Sequence, residues 1–273
     1  MQTRTVLISA ALVLVAAGCA QGDREPDVVA GFYPLAWAAE QIGGPGLDVV
    51  DLTPPGAEPH DLEPRPSDVG LIRDAGLVLY VRGFQPALDR ALEQRDGPSL
   101  DVGGAGARTD PHVWLDPNRF AAVVRAIGAE LDRKEAADRL ARRLGALDRE
   151  FSNGLASCER REIVTSHAAF GRLAARYGLR QVSLAGVSPE AEPTPRALET
   201  LVEAVRATDA TTVFTEPLLS PRVAETVARE TGATTAVLDP VEALGAEQQK
   251  RGDDYVSIMR RNLAALRTAL GCR

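Results

Sequence analysis

Three histidines, His60, His112 and His167, are the only imidazoles in this 273-residue chain. His60 follows the apolar run "LDVVDL", His112 sits in "TDPHVWLDP" ahead of a helical stretch, and His167 ends "EIVTS". A lone histidine in a loop or at a strand end is usually structural. Three at comparable positions suggest another use, because neutral imidazole is the commonest ligand for zinc and three make a borderline-soft nitrogen site. A fourth ligand should be anionic, since a cation inside a cleft needs its charge offset. Asp239 in "AVLDPV" and Glu216 in "VFTEPL" both qualify, each ending an apolar run just before a proline that stiffens the exit. About fifty residues separate successive histidines, unlike the tight pairs of a zinc finger or the H-E-x-x-H of a metalloprotease. Such wide spacing fits a site assembled between two lobes.

His60 stands in "LTPPGAEPHDLEPRPSD", residues 52–68, a stretch with five prolines. Proline fixes φ, so this arch loses less entropy when His60 is held for coordination. Glu58, Asp61 and Glu63 are candidates to accept the other ring N–H and set its tautomer; otherwise each is a solvated loop acid.

The elements that must position these residues alternate regularly. "DVVAGFYP", "LDVVDL", "LVLYV" and "SLDVGG" read as strands, with helical stretches between them. A proline-free run, "NRFAAVVRAIGAELDRKEAADRLARRLGALDREFSNGLASC", keeps helical spacing through most of its length, and its later part suits a long, partly exposed helix. Alternation then resumes with the strands "REIVTS", "RQVSLAG", "ATTVFTE" and "TTAVLD" and the helices among them, and a last helix runs over about 254–270. Such β-α-β order implies parallel sheets with helices on their faces. The expected fold is α/β: two lobes, each a parallel sheet flanked by helices, joined by a long rigid helix. Parallel sheets bind ligands beyond the carboxyl ends of their strands, which puts the metal site in the interlobe cleft.

At the N-terminus, Arg4 precedes an apolar run over 6–17 that is too short for a comfortable bilayer crossing, so residues 1–18 read as an export signal. The ending "VAAGC" resembles the bacterial lipobox, which implies cleavage before Cys19, a lipid on its sulfur and a tether over 19–26. The expected divisions are then an N-terminal lobe over 27–133, a connecting helix over 134–157 and a C-terminal lobe over 158–273. The formal charge of −7 argues against non-specific binding of nucleic acid, which needs a basic face. Cys158 and Cys272 remain after cleavage, and an even pair in an exported chain suggests a disulfide, with two separate buried thiols as the alternative.

Six segments in order, "GFYPLAWAAEQIGG", "LTPPGAEPHDLEPRPSD", "DPHVWLDP", "VTSHAAFGRLAARYGL", "VFTEPLLS" and "VLDP", resemble the zinc- and manganese-type metal-binding proteins of ABC importers, over essentially the whole mature chain. The resemblance implies a two-lobed monomer with a rigid connecting helix. It also implies one metal as cargo, held by His60, His112, His167 and Asp239 and delivered to a membrane permease. Anchoring through Cys19 would place the protein on the outer face of the cell membrane. Manganese-type members tend to carry glutamate at the third position, so His167 points to Zn²⁺, as imidazole-rich chemistry does. The histidine-rich loop of many zinc-type relatives is replaced by "GGAGARTD". Manganese or another divalent cargo is the alternative within the family. A zinc hydrolase using a His₃ site is a further reading, with Glu216 as the only placed base and no G-x-S-x-G motif beside it. An adhesin-like surface lipoprotein is the third reading.

Overall fold

The computed structural model describes residues 25–104, 109–187 and 194–273. The export signal, the lipobox and most of the tether lie outside these residues, as does part of "GGAGARTD".

The alternation of apolar runs becomes two parallel sheets of four strands. The first holds β1 (Val28–Ala30), β2 (Val49–Asp51), β3 (Leu77–Tyr80) and β4 (Ser99–Asp101), in the order β2-β1-β3-β4. Between and beside them run α1 (Tyr33–Gly43), α2 (Pro66–Asp74) and α3 (Pro86–Leu92). All three helices carry proline in the first turn, where the missing N–H costs nothing. The second sheet holds β5 (Glu162–Thr165), β6 (Arg180–Ser183), β7 (Thr212–Thr215) and β8 (Thr234–Val237), in the order β6-β5-β7-β8.

Between the two sheets the chain runs through two helices, α4 (Pro117–Glu130) and α5 (Lys134–Gly154). The proline-free run is therefore a pair of packed helices, and the chain turns between them at Asp132, whose φ is 51°. Aspartate tolerates this left-handed conformation better than most residues. The pair approaches closely at Gly128, where a Cβ would stand 2.2 Å from the Cβ of Ala137. With 21 residues, α5 is about 30 Å long. It buries Ala137, Leu140, Ala141, Leu144, Leu147 and Phe151 along one stripe. Those side chains belong to a single apolar core that also takes in Val28, Leu79, Ile163, Phe214 and Leu266, so the inner faces of both sheets share it. Alternate strand residues point the other way. Val29, Val78 and Tyr80 pack beneath the helices on the outer face of the first sheet, and Val164 and Val213 do the same in the second. One continuous core through both lobes disfavours hinge motion between them.

The second lobe is completed by α6 (Gly171–Tyr177), α7 (Pro195–Arg206), α8 (Arg222–Thr231), α9 (Ala246–Lys250) and α10 (Tyr255–Leu270). Cys158, just past α5, is disulfide-bonded to Cys272, just past α10. Among the described residues no helix is long and apolar enough to cross a membrane.

Candidate metal centre

The three histidines leave their strands at the carboxyl ends. His60 follows β2, His112 follows β4 and His167 follows β5. Each is held by its own segment before any cation is considered.

The arch carrying His60 is fastened at several points. Thr53 Oγ1 donates to the Gly31 carbonyl at 2.7 Å, and the buried Gln85 amide donates to the carbonyls of Gly31 and Pro59 at 3.0 and 3.1 Å. A Cβ at Gly31 would lie 2.4 Å from Gln85 Oε1, so a larger residue there would displace this amide. Farther along, the Gly56 N–H reaches across to the Leu244 carbonyl of the other lobe at 3.0 Å. His60 itself sits in a short 3-10 turn, Pro59–Asp61, with its ring edge against Phe84 at a centroid distance of 4.4 Å. Glu58 accepts from the His60 backbone N–H at 3.2 Å. The arch's acid therefore caps the turn through the backbone.

The other two imidazoles are backed by carboxylates. His112 Nδ1 lies 2.9 Å from Asp110 Oδ1, which also accepts from the His112 backbone N–H at 3.0 Å. The Asp110 carbonyl is in turn gripped by Arg172. His167 Nδ1 lies 2.7 Å from Glu216 Oε2, while Glu216 Oε1 accepts from the His167 backbone N–H at 3.1 Å. A carboxylate behind Nδ1 keeps the proton there and turns the Nε2 lone pair toward the cleft.

All three Nε2 atoms converge on one point, and the fourth group there is Glu242. Its Oε1 is 3.7 Å from His60 Nε2, 3.2 Å from His112 Nε2 and 3.6 Å from His167 Nε2. These four side chains can offer ligand atoms that all lie within 4.8 Å of one another. A tetrahedral zinc with bonds near 2.0–2.1 Å needs ligand atoms about 3.4 Å apart, so only small adjustments separate this arrangement from a coordination sphere. Among the described residues the three Nε2 atoms and Glu242 Oε1 have no hydrogen-bond partner and are buried, a costly state for four polar atoms that an ion would relieve.

The charges are set by the same contacts. Burial would raise the Glu242 carboxyl, but contact with His112, His167 and His60 outweighs it and holds the group well below the usual carboxylate range. Burial opposes protonation of His167, yet Glu216 and Glu242 overcome it and push the imidazole up to about 10. His112 is raised in the same way against its burial by Asp110 and Glu242. Glu58 is pushed up to about 7 by burial and by the Glu242 charge.

Asp239 and Glu216 do not join the converging atoms. Glu216 stands behind His167, as described. Asp239 Oδ1 accepts from the Val241 N–H at 2.7 Å and Oδ2 from Gln248 Nε2 at 2.6 Å, and burial raises its carboxyl to about 6. Reading the sequence stopped at the strand end and so missed Glu242, three positions later in "VLDPVEAL". The only local signal was a second acid in the same loop. What turns it inward is a backbone reversal at Val241, with φ 59°, which a valine does not advertise.

Two α/β lobes on a shared core bring three imidazoles and a carboxylate together at the ends of their strands, a donor set that could hold one metal ion. The chain belongs to the family described as zinc-uptake complex component A, periplasmic, whose profile matches residues 28–269. It is 32% identical to the zinc-binding lipoprotein AdcA of Streptococcus pneumoniae serotype 4, an alignment covering 98% of this chain and 61% of that protein. The chain thus corresponds to less than two thirds of that relative's length. It is also 32% identical to the high-affinity zinc uptake system protein ZnuA of Bacillus subtilis, over 89% of this chain and 87% of that one. The structure is similar to the zinc-bound ZnuA-like domain of S. pneumoniae AdcA, with a TM-score of 0.77 and 33% identity, covering 90% of this chain and 99% of that one. It also resembles the laminin-binding protein Lmb of Streptococcus agalactiae, described as having adhesin and metal-transporting activity, with a TM-score of 0.81 and 28% identity over 90% and 99% of the two chains.

Proposed function

We propose that this protein is a non-catalytic carrier that captures Zn²⁺ outside the cytoplasmic membrane and delivers it to an ABC permease. The ligands are His60, His112 and His167, each through Nε2, and the carboxylate of Glu242. The observation that carries this reading is the convergence of four buried atoms that have no hydrogen-bond partner among the described residues. Three nitrogens and one oxygen suit zinc better than the oxygen-seeking manganese. The relatives named for zinc support the same cargo. Four protein ligands complete a tetrahedron and leave no position for an activated water, which favours carriage over hydrolysis. The lobes fall at 27–133 and 158–273 with the connecting helix between them, and a lipid on Cys19 tethers the monomer to the membrane.

The test is competition between Zn²⁺ and Mn²⁺ for metal-free protein, followed by calorimetry and elemental analysis. One zinc per chain, retained against excess manganese, is the expected outcome. Preferential retention of manganese, or zinc affinity unchanged in His112→Ala, would refute the assignment.

A further inference from the structure

Asp239 spends every polar group on fixing one loop. Its backbone N–H and carbonyl are both bonded to the Asn262 side chain, at 2.9 and 2.7 Å. Its carboxylate takes the Val241 N–H on one oxygen and Gln248 on the other. Between Asp239 and Val241, the Pro240 carbonyl accepts from Trp114 Nε1 at 2.7 Å. Five hydrogen bonds on three residues is heavy fastening for a connection between a strand and a short helix.

The residue so fastened is in an unfavourable conformation. Val241 has φ 59°, and with Asp132 it is one of two non-glycine residues with positive φ among those described. A β-branched residue in the left-handed region clashes with its own backbone and persists only where its surroundings impose it. Here the Val241 N–H is pinned to Asp239, and its side chain is fully buried in the shared core. The reversal at Val241 sends the next side chain, Glu242, among the imidazoles. A cavity of about 590 Å³ lined by Leu218, Val237, Ile258, Asn262 and Gln248 opens against Asp239.

We infer that Asp239 is the positioning residue for Glu242. Its carboxylate, braced by Gln248 and Asn262, holds Val241 left-handed and thereby keeps Glu242 in the cation's coordination sphere. When this latch opens, Val241 relaxes, Glu242 withdraws and the cation is left on three imidazoles. The inference rests on the ligand set proposed above.

The experiment is a double-mutant cycle on the mature protein, with Zn²⁺ affinity read by chelator competition and dissociation by stopped-flow chelator capture. Glu242→Ala weakens binding. Asp239→Ala weakens it about 10–100-fold, the range for groups that orient a metal ligand, through faster dissociation. In the Glu242→Ala background, Asp239→Ala changes affinity less than about threefold, because the residue it positions is gone. The Co²⁺ absorption spectrum of Asp239→Ala shifts to that of Glu242→Ala. Should Asp239→Ala not fold, Gln248→Ala takes its place, with a smaller loss of affinity that also vanishes without Glu242. If Asp239→Ala binds as tightly as the parent while Glu242→Ala does not, the latch is refuted. If Asp239→Ala weakens both backgrounds equally, Asp239 acts independently of Glu242, as a ligand or general scaffold, and the inference is again overturned. If Glu242→Ala itself changes nothing, the ligand set has failed instead.

Discussion

The indole Nε1 of Trp114 donates to the carbonyl of Pro240 across 126 positions of sequence. Trp114 lies two residues beyond His112, and Pro240 lies two residues before Glu242, so this bond sets an imidazole of one lobe against the carboxylate of the other. The Tyr255 hydroxyl at the start of α10 donates to the Trp114 carbonyl, closing the chain of contacts. Trp114 is fully buried, as are its bonds. Trp114→Phe leaves the Pro240 carbonyl without its donor. The expected cost is about 1–3 kcal/mol of stability from the unpaired group, with weaker zinc binding besides. Urea unfolding and calorimetry measure the two separately.

Gln85 does for His60 what Trp114 does for Glu242. One buried amide donates to Gly31, to Thr53 Oγ1 and to Pro59, the residue before His60. Gln85→Leu strands those acceptors and frees the arch. Zinc affinity should fall about 10–100-fold, as it does when a ligand's supporting contacts are removed, and a chelator competition assay reads it.

Proton release should accompany zinc binding. In the metal-free protein, burial disfavours a charged His167, but Glu216 and Glu242 outweigh it and raise the group to about 10. Zinc needs the neutral ring, so binding at pH 7–8 displaces this proton, and affinity climbs with pH toward 10. The sign for stability without metal is the opposite. A raised folded-state pKa contributes stability that is fully present below the unfolded value of about 6.5 and lost as pH rises through about 10. Titrations in buffers of different ionisation enthalpy give the proton count. Glu216→Gln should lower both the count and the affinity.

The alternation of strands and helices, and the position of the histidines outside regular helices, were legible because they rest on short-range signals. Apolar runs such as "LVLY" and "EIVT" alternate with amphipathic stretches, and every histidine lies on the segment that follows a strand. The turn between α4 and α5 has no proline or glycine at Leu131, Asp132 or Arg133, and only the change to a charge-rich composition at Lys134 marks where α5 begins. Glu242 was hidden. Its direction depends on a left-handed valine enforced by Asn262, Gln248 and Trp114, residues remote from the "LDP" that drew attention. Local propensity cannot report a conformation imposed by tertiary contacts.

The disulfide and the metal centre lie at opposite ends of β5. Cys158 precedes Glu162, where the strand begins, and His167 follows Thr165, where it ends. The bond fastens the tail of α10 to the start of the second lobe, closing a sequence separation of 114 residues. Its contribution therefore falls on the unfolded chain, whose freedom it restricts, and on the packing of α10 against α5. Replacing both cysteines with serine should cost about 2–5 kcal/mol of stability. Zinc affinity should remain within about twofold, since interactions with no shared partners add independently. Thermal unfolding with and without zinc separates these effects. The zinc-dependent rise in unfolding free energy should be the same for the oxidised protein and the double-serine variant, because it depends only on affinity and free zinc. A smaller rise in the variant would mean that α10 transmits strain from the disulfide to Asn262, and through it to the loop that presents Glu242.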